Sequence, residues 1–212
     1  MEFSMHELYL LINQPGPLWL VEADLSRAKL YSANLAGANL TRANLVGANL
    51  TGADLSGASL SVANISAANL TMAVLAGALL SAAMLKKSKL NAADLSKANL
   101  NEADLTGAEL LAADLSGADL SGALLLDSRL GGARLYGAVL CRARLNAADL
   151  RNANLSKADL RGADLRDANL AGAALSGANL EGADLRGAKY TGFTVWPLDF
   201  NPGEAGAVLE AE

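Results

Sequence analysis

Between Ala33 and Gly57 the chain reads ANLAG ANLTR ANLVG ANLTG ADLSG, units of five residues with Ala first and Leu third. The register extends in both directions: from 25 to 185 every position divisible by five is Leu except Ile65, and the residue two before it is Ala except at Ser88 and Ser128. Residues 23–187 thus form 33 unbroken units, and a period this regular outranks local propensity in setting the architecture.

A period of five suits neither common element. On an α-helix, leucines five apart drift by about 140° each time and spiral around the whole surface. On a flat strand, an odd spacing sends successive leucines to opposite faces. The chain must instead turn. If each unit makes one short extended side and one corner, four units close a square coil with Leu and Ala directed at a common axis. Stacked coils pair their backbone groups at about 4.8 Å, so the repeat predicts an all-β, parallel, quadrilateral β-helix of roughly eight coils, about 40 Å long. Gly stands two residues after Leu in 15 of the 33 units, where a type II turn needs positive φ. Each buried Leu contributes roughly 1.5 to 3 kcal/mol before entropy is charged.

Units such as Ala38-Asn39-Leu40-Thr41-Arg42, Ala53-Asp54-Leu55-Ser56-Gly57 and Ala163-Asp164-Leu165-Arg166-Asp167 resemble the pentapeptide-repeat family over residues 23–187. The resemblance implies a right-handed β-helix with Leu and Ala inward and the other three positions outward.

An open stack of coils exposes unpaired edges, so caps are expected at both ends. Residues 1–22 read as an N-terminal cap: Phe3, Met5, Leu8, Tyr9, Leu11 and Ile12 give a short helix an apolar face, and Pro15-Gly16-Pro17 turns the chain into the first coil. Residues 188–212 read as a C-terminal cap and tail, with Tyr190, Phe193, Trp196 and Phe200 placed to cover the last coil. The segment from Thr194 to Pro202 is similar to a closing segment in many bacterial members of the family. Some members also pair through this end, so the chain is expected to be a monomer or a weak end-to-end dimer.

The best-known activity in the family is protection or inhibition of DNA gyrase by members that imitate duplex DNA, which requires a strongly negative rod. Here the net charge of −5 comes from the ends, because the 16 basic and 15 acidic residues of the repeat nearly cancel. The unbroken register also leaves no place for an enzyme-contacting loop. A gyrase or topoisomerase regulator is therefore the second reading. Direct nucleic-acid binding is not expected, since bases and acids are interleaved and no aromatic stacking row exists. Stacking predicts ion-pair ladders between residues twenty apart: Lys89, Glu109, Arg129 and Asp149 in one, Arg144 with Asp164, and Arg161 with Glu181. Asn49 and Asn69 read as an amide ladder.

No catalytic set is found. One histidine, His6, and one cysteine, Cys141, leave no disulfide framework and no zinc site. Arg142 and Arg144 near Cys141 favour a thiolate, but no base accompanies it. No cofactor or metal is expected. The apolar run from Met72 to Leu85 is too short to span a bilayer, and the N-terminus lacks a basic region and a secretory apolar run, so a cytoplasmic location is expected.

The leading reading is a non-enzymatic rigid scaffold or interaction module whose partner is another protein. Its candidate contact patch lies where outward positions depart from Asp, Asn, Ser and Thr: Met72, Val74, Leu79 and Met84, followed by Lys86, Lys87 and Lys89. A second departure gathers Leu111, Leu124, Leu126, Tyr136 and Val139 among Arg129, Arg134, Arg142 and Arg144.

Overall fold

The computed structural model describes residues 16–210. Within them the chain coils, and each outward residue before a Leu forms a parallel bridge with the residue twenty positions on, from Trp19↔Asn39 to Asn169↔Lys189. The bridges fall into four columns, one per unit of a coil: Asn34-Asp54-Val74, Asn39-Ser59-Leu79, Asn44-Asn64-Met84 and Asn49-Asn69-Lys89 are their lower parts. From Leu35 to Leu175 every Leu at a position divisible by five, and Ile65, is at most 1% exposed, so these side chains fill the axis as the period requires.

In a unit with Asn or Asp before Leu all five backbone N–H groups can be assigned. The Leu40 N–H donates to the Ser59 carbonyl one coil above at 2.7 Å, and the Ser59 N–H donates to the Ala38 carbonyl below at 2.9 Å. At the corner, the Gly37 N–H reaches the Ser56 carbonyl at 2.8 Å, while the Ala38 N–H closes the turn onto the Leu35 carbonyl at 3.0 Å. The fifth, one residue after Leu, has a side-chain acceptor described below. Buried amides are thereby satisfied without long strands.

The turn bond and the positive φ at its third position are those of a type II turn. All 33 corners of the repeat have this φ, from 52° at Ser32 to 74° at Gly187. Only 15 are Gly, so 18 corners hold a Cβ in a region that costs L-residues about 1 kcal/mol or more. Bonds to the coil above fix each corner and offset that cost. Ser88 and Ser128, fully buried in Ala positions, donate their hydroxyls to the Leu85 and Leu125 carbonyls, each at 2.7 Å.

The register changes near the end. Ala174 pairs with Val195, a step of 21, and then β1 (Lys189–Tyr190) pairs in parallel with β2 (Val208–Leu209), a step of 19. Thr194 makes the extra residue fit: its hydroxyl donates to the Leu170 carbonyl at 2.9 Å and accepts from the Gly172 and Thr191 N–H groups at 3.2 Å. Trp196 packs edge-on to Tyr190 and stacks on Phe200, with ring centroids 5.4 and 5.3 Å apart. Trp196 and Phe200 pack against the core, whereas Phe193 and Leu198 face solvent. The predicted N-terminal helix, built on Phe3 to Ile12, lies outside the described residues.

Candidate functional site

The outward residue before Leu is more than a solvated wall position. Every Asn and Asp there, from Asp24 to Asp184, accepts a hydrogen bond through Oδ1 from the N–H two residues on, at 2.9 to 3.3 Å. This Asx turn supplies the acceptor for the fifth N–H of the unit, just where the chain enters its corner. The sequence carried the signal in the concentration of Asn and Asp at the position before Leu.

Against that background the candidate patch stands out. Val74, Leu79, Met84 and Lys89 are four successive units without an Asx acceptor, and the N–H groups of Ala76, Ser81, Lys86 and Asn91 find none among the described residues. Val74, Leu79 and Met84 are 37%, 47% and 40% exposed, and Met72 occupies an exposed corner at φ 57°. These residues do not share one face. Each belongs to a different bridge column, so they form a belt around one level of the rod. Lys86 pairs with Asp104 at 3.1 Å, while Lys87 takes a corner at φ 54° and Lys89 bridges Asn69 and Glu109 in the fourth column.

The charge pattern differs from the ladders expected of stacking. Among the described residues Lys89, Glu109, Arg129 and Asp149 form no ion pairs with one another, and neither Arg144–Asp164 nor Arg161–Glu181 does. The carboxylates are held within their own units. Asp149, Asp159, Asp164 and Asp184 each take a forked hydrogen bond from the Arg two residues on, as in Arg161 Nε and Nη2 on Asp159 at 2.9 and 2.6 Å. One carboxylate therefore serves both the Asx turn and a guanidinium, a geometry that a partner one coil away does not match. The Arg fork holds all four carboxyls below their ordinary range, Asp159 at about 2. Pairs between coils are short where no such fork forms, as in Arg134–Asp114 at 2.9 Å and Arg42–Glu22 at 3.5 Å, whereas Arg166, which forks Asp164, reaches Asp184 one coil above only at 3.7 Å. The Asn49–Asn69 amide ladder is likewise replaced, each Oδ1 accepting instead from the N–H and hydroxyl of its own Thr51 or Thr71.

Cys141 also departs from expectation. Burial, followed by the hydrogen bond and charge of Asp159, pushes its thiol up rather than toward thiolate. Among the described residues no group of three His, Cys, Asp or Glu side chains is placed to hold a metal, and no helix is long and apolar enough to cross a membrane.

The model of the pentapeptide repeats matches residues 23–61, 58–96, 88–125, 128–167 and 163–189. Among solved structures, the chain is similar to HetL, a pentapeptide-repeat protein involved in heterocyst differentiation regulation from the cyanobacterium Nostoc sp. strain PCC 7120. The two are 32% identical with a TM-score of 0.66, over 89% of this chain and 94% of HetL. QnrB1, a plasmid-mediated fluoroquinolone resistance protein, shares the fold at 20% identity and a TM-score of 0.59, over 92% of each chain. No curated protein matches the chain. The five-residue register, the continuous match across it and the likeness to HetL place this chain in the pentapeptide-repeat family, whose members fold as right-handed β-helices.

Proposed function

We propose that the protein is a non-enzymatic rigid rod that acts as a scaffold or interaction module for another protein in the cytoplasm. In this reading residues 23–187 form a quadrilateral stack of about eight coils, with residues 1–22 and 188–212 capping its ends. The observation that carries the proposal is the belt of Met72, Val74, Leu79 and Met84, followed by Lys86, Lys87 and Lys89. There the wall gives up its Asx turns for a complete coil and presents apolar side chains with a basic rim. HetL's involvement in differentiation regulation supports a regulatory rather than a catalytic role for a rod of this kind.

The test is affinity capture from native cell extract with the wild type and with Val74→Asn, Leu79→Asn and Met84→Asn combined. Each introduced Asn stands where others form Asx turns, so the variant should melt no lower than wild type while losing the captured protein. Retained capture would sink the proposal. A supercoiling assay with DNA gyrase addresses the regulator reading separately, and the near-neutral repeat predicts no effect.

A further inference from the structure

A second level of the rod also lacks Asx turns. Leu124, Arg129, Arg134, Val139 and Arg144 are five successive units without an Asn or Asp before Leu, and the N–H groups of Cys141 and Asn146 find no acceptor among the described residues. One coil above, the equivalent corners are complete. There Asp159 receives the Arg161 N–H and guanidinium, and Asp164 receives those of Arg166. Those corners show how this backbone recognises a carboxylate, through one N–H and one guanidinium together.

At the lower level the corner N–H groups remain and the carboxylate is missing: Cys141 and Asn146 stand where Arg161 and Arg166 do, Val139 and Arg144 replace the two Asp, and the guanidinium groups are those of Arg142 and Arg144. Arg142 and Arg144 are exposed and form no ion pair among the described residues. Arg144 bridges Leu124 below it, and Leu124 and Leu126 on the same side of the coil are half-buried, leaving apolar surface beside it. Asp164, the acid above Arg144, is already engaged by Arg166 at 2.7 Å. Glu102 lines one cavity with Arg142, two coils below it, and Asp127 stands at the next corner, so a carboxylate that arrives below the level of the two Arg is repelled.

We infer that this face binds an acidic, partly apolar peptide segment of a partner protein. Two carboxylates of the segment engage successive corners, one at Arg142 and the Cys141 N–H and one at Arg144 and the Asn146 N–H, while an adjacent aliphatic side chain lies on Leu124 and Leu126. The inference rests on the reading of the rod as an interaction module but concerns a different surface from the belt at Val74, so either can fail alone.

The test uses the full chain and a fluorescein-labelled peptide with Asp-Leu-Asp-Leu at its centre, beside the same peptide with Asn for Asp and a labelled DNA duplex. Anisotropy should show saturable, salt-sensitive binding of the Asp peptide, weakened about tenfold or more by Arg142→Glu with Arg144→Glu. Arg27→Glu, at another exposed corner, should leave it unchanged. In amide NMR spectra the Cys141 and Asn146 signals should move with the Asp peptide, which locates the contact without relying on the variants. Equal binding of the Asn peptide, unmoved Cys141 and Asn146 amides, or binding of the duplex in place of the peptide would each overturn the inference.

Discussion

Val62 stands at a corner with φ of 60°, half exposed, a branched side chain in backbone space that disfavours it. Val62→Gly should raise stability by about 1 kcal/mol, the relief of strain exceeding the entropy Gly adds to the unfolded chain, as read by chemical denaturation. The converse has two grades. At Gly57, φ +62°, a Cβ meets nothing within 4 Å, so Gly57→Ala should cost only the backbone term of about 1 kcal/mol. Gly206→Ala, at φ +86°, should cost more, because its Cβ would come within 3.3 Å of the Arg186 backbone. The glycines made the corners legible in the sequence at fewer than half of their positions. At Arg27, Met72 or Lys87 the residue argues against positive φ, and only the bonds to the adjacent coil impose it.

A single unit couples an Asx turn to an ion pair, and the two can be separated. Asp159 sits at about 2, below its ordinary value of 3.8, chiefly because Arg161 bonds its charged form. A depressed carboxyl contributes stability that is fully present above the unfolded value and is lost as pH falls through the folded one. Melting temperature should therefore decline between about pH 4 and pH 2, and Asp159→Asn should flatten part of that decline. Since Asn keeps the Oδ1 acceptor, Asp159→Asn should also cost less at neutral pH than Asp159→Ala, which leaves the Arg161 N–H unpaired; thermal melts of both variants decide this. The column assignment was legible from the twenty-residue spacing, because the bridges follow it. The ion pairs were not, because spacing says which residues are neighbours and not which neighbour a carboxylate already engaged in its own corner will prefer.

Across the whole molecule, the core recognises only the period. Excising Ala93–Lys97 removes one unit and should leave a folded rod in which every later column is displaced by one, whereas excising Ala93–Ser96 throws each later Leu off the axis and should unfold the upper coils. Circular dichroism and scattering length distinguish the two. The same indifference explains how much of the candidate site the sequence could show. It marked which residues break the wall pattern, but the four columns carry Val74, Leu79 and Met84 to different sides, so a run of apolar residues became a belt. At the C-terminal end the aromatic residues were legible as a group, of which Trp196 and Phe200 pack against the core, while the change of register to 21 and then 19 was not, since it depends on Thr194 bonding three backbone groups.

The uniform register also bears on how the chain reaches its native state. Coil-to-coil bonds such as Leu40 to Ser59 and Ser59 to Ala38 join residues 19 to 21 positions apart, roughly a tenth of the chain length, which is short for an all-β protein. Loop closure is therefore brief and nearly the same for every coil, and each finished coil is a template for its successor. Chains arrested at increasing lengths during synthesis should gain protease resistance in increments of about twenty residues, and a single jump at full length would contradict this order of assembly.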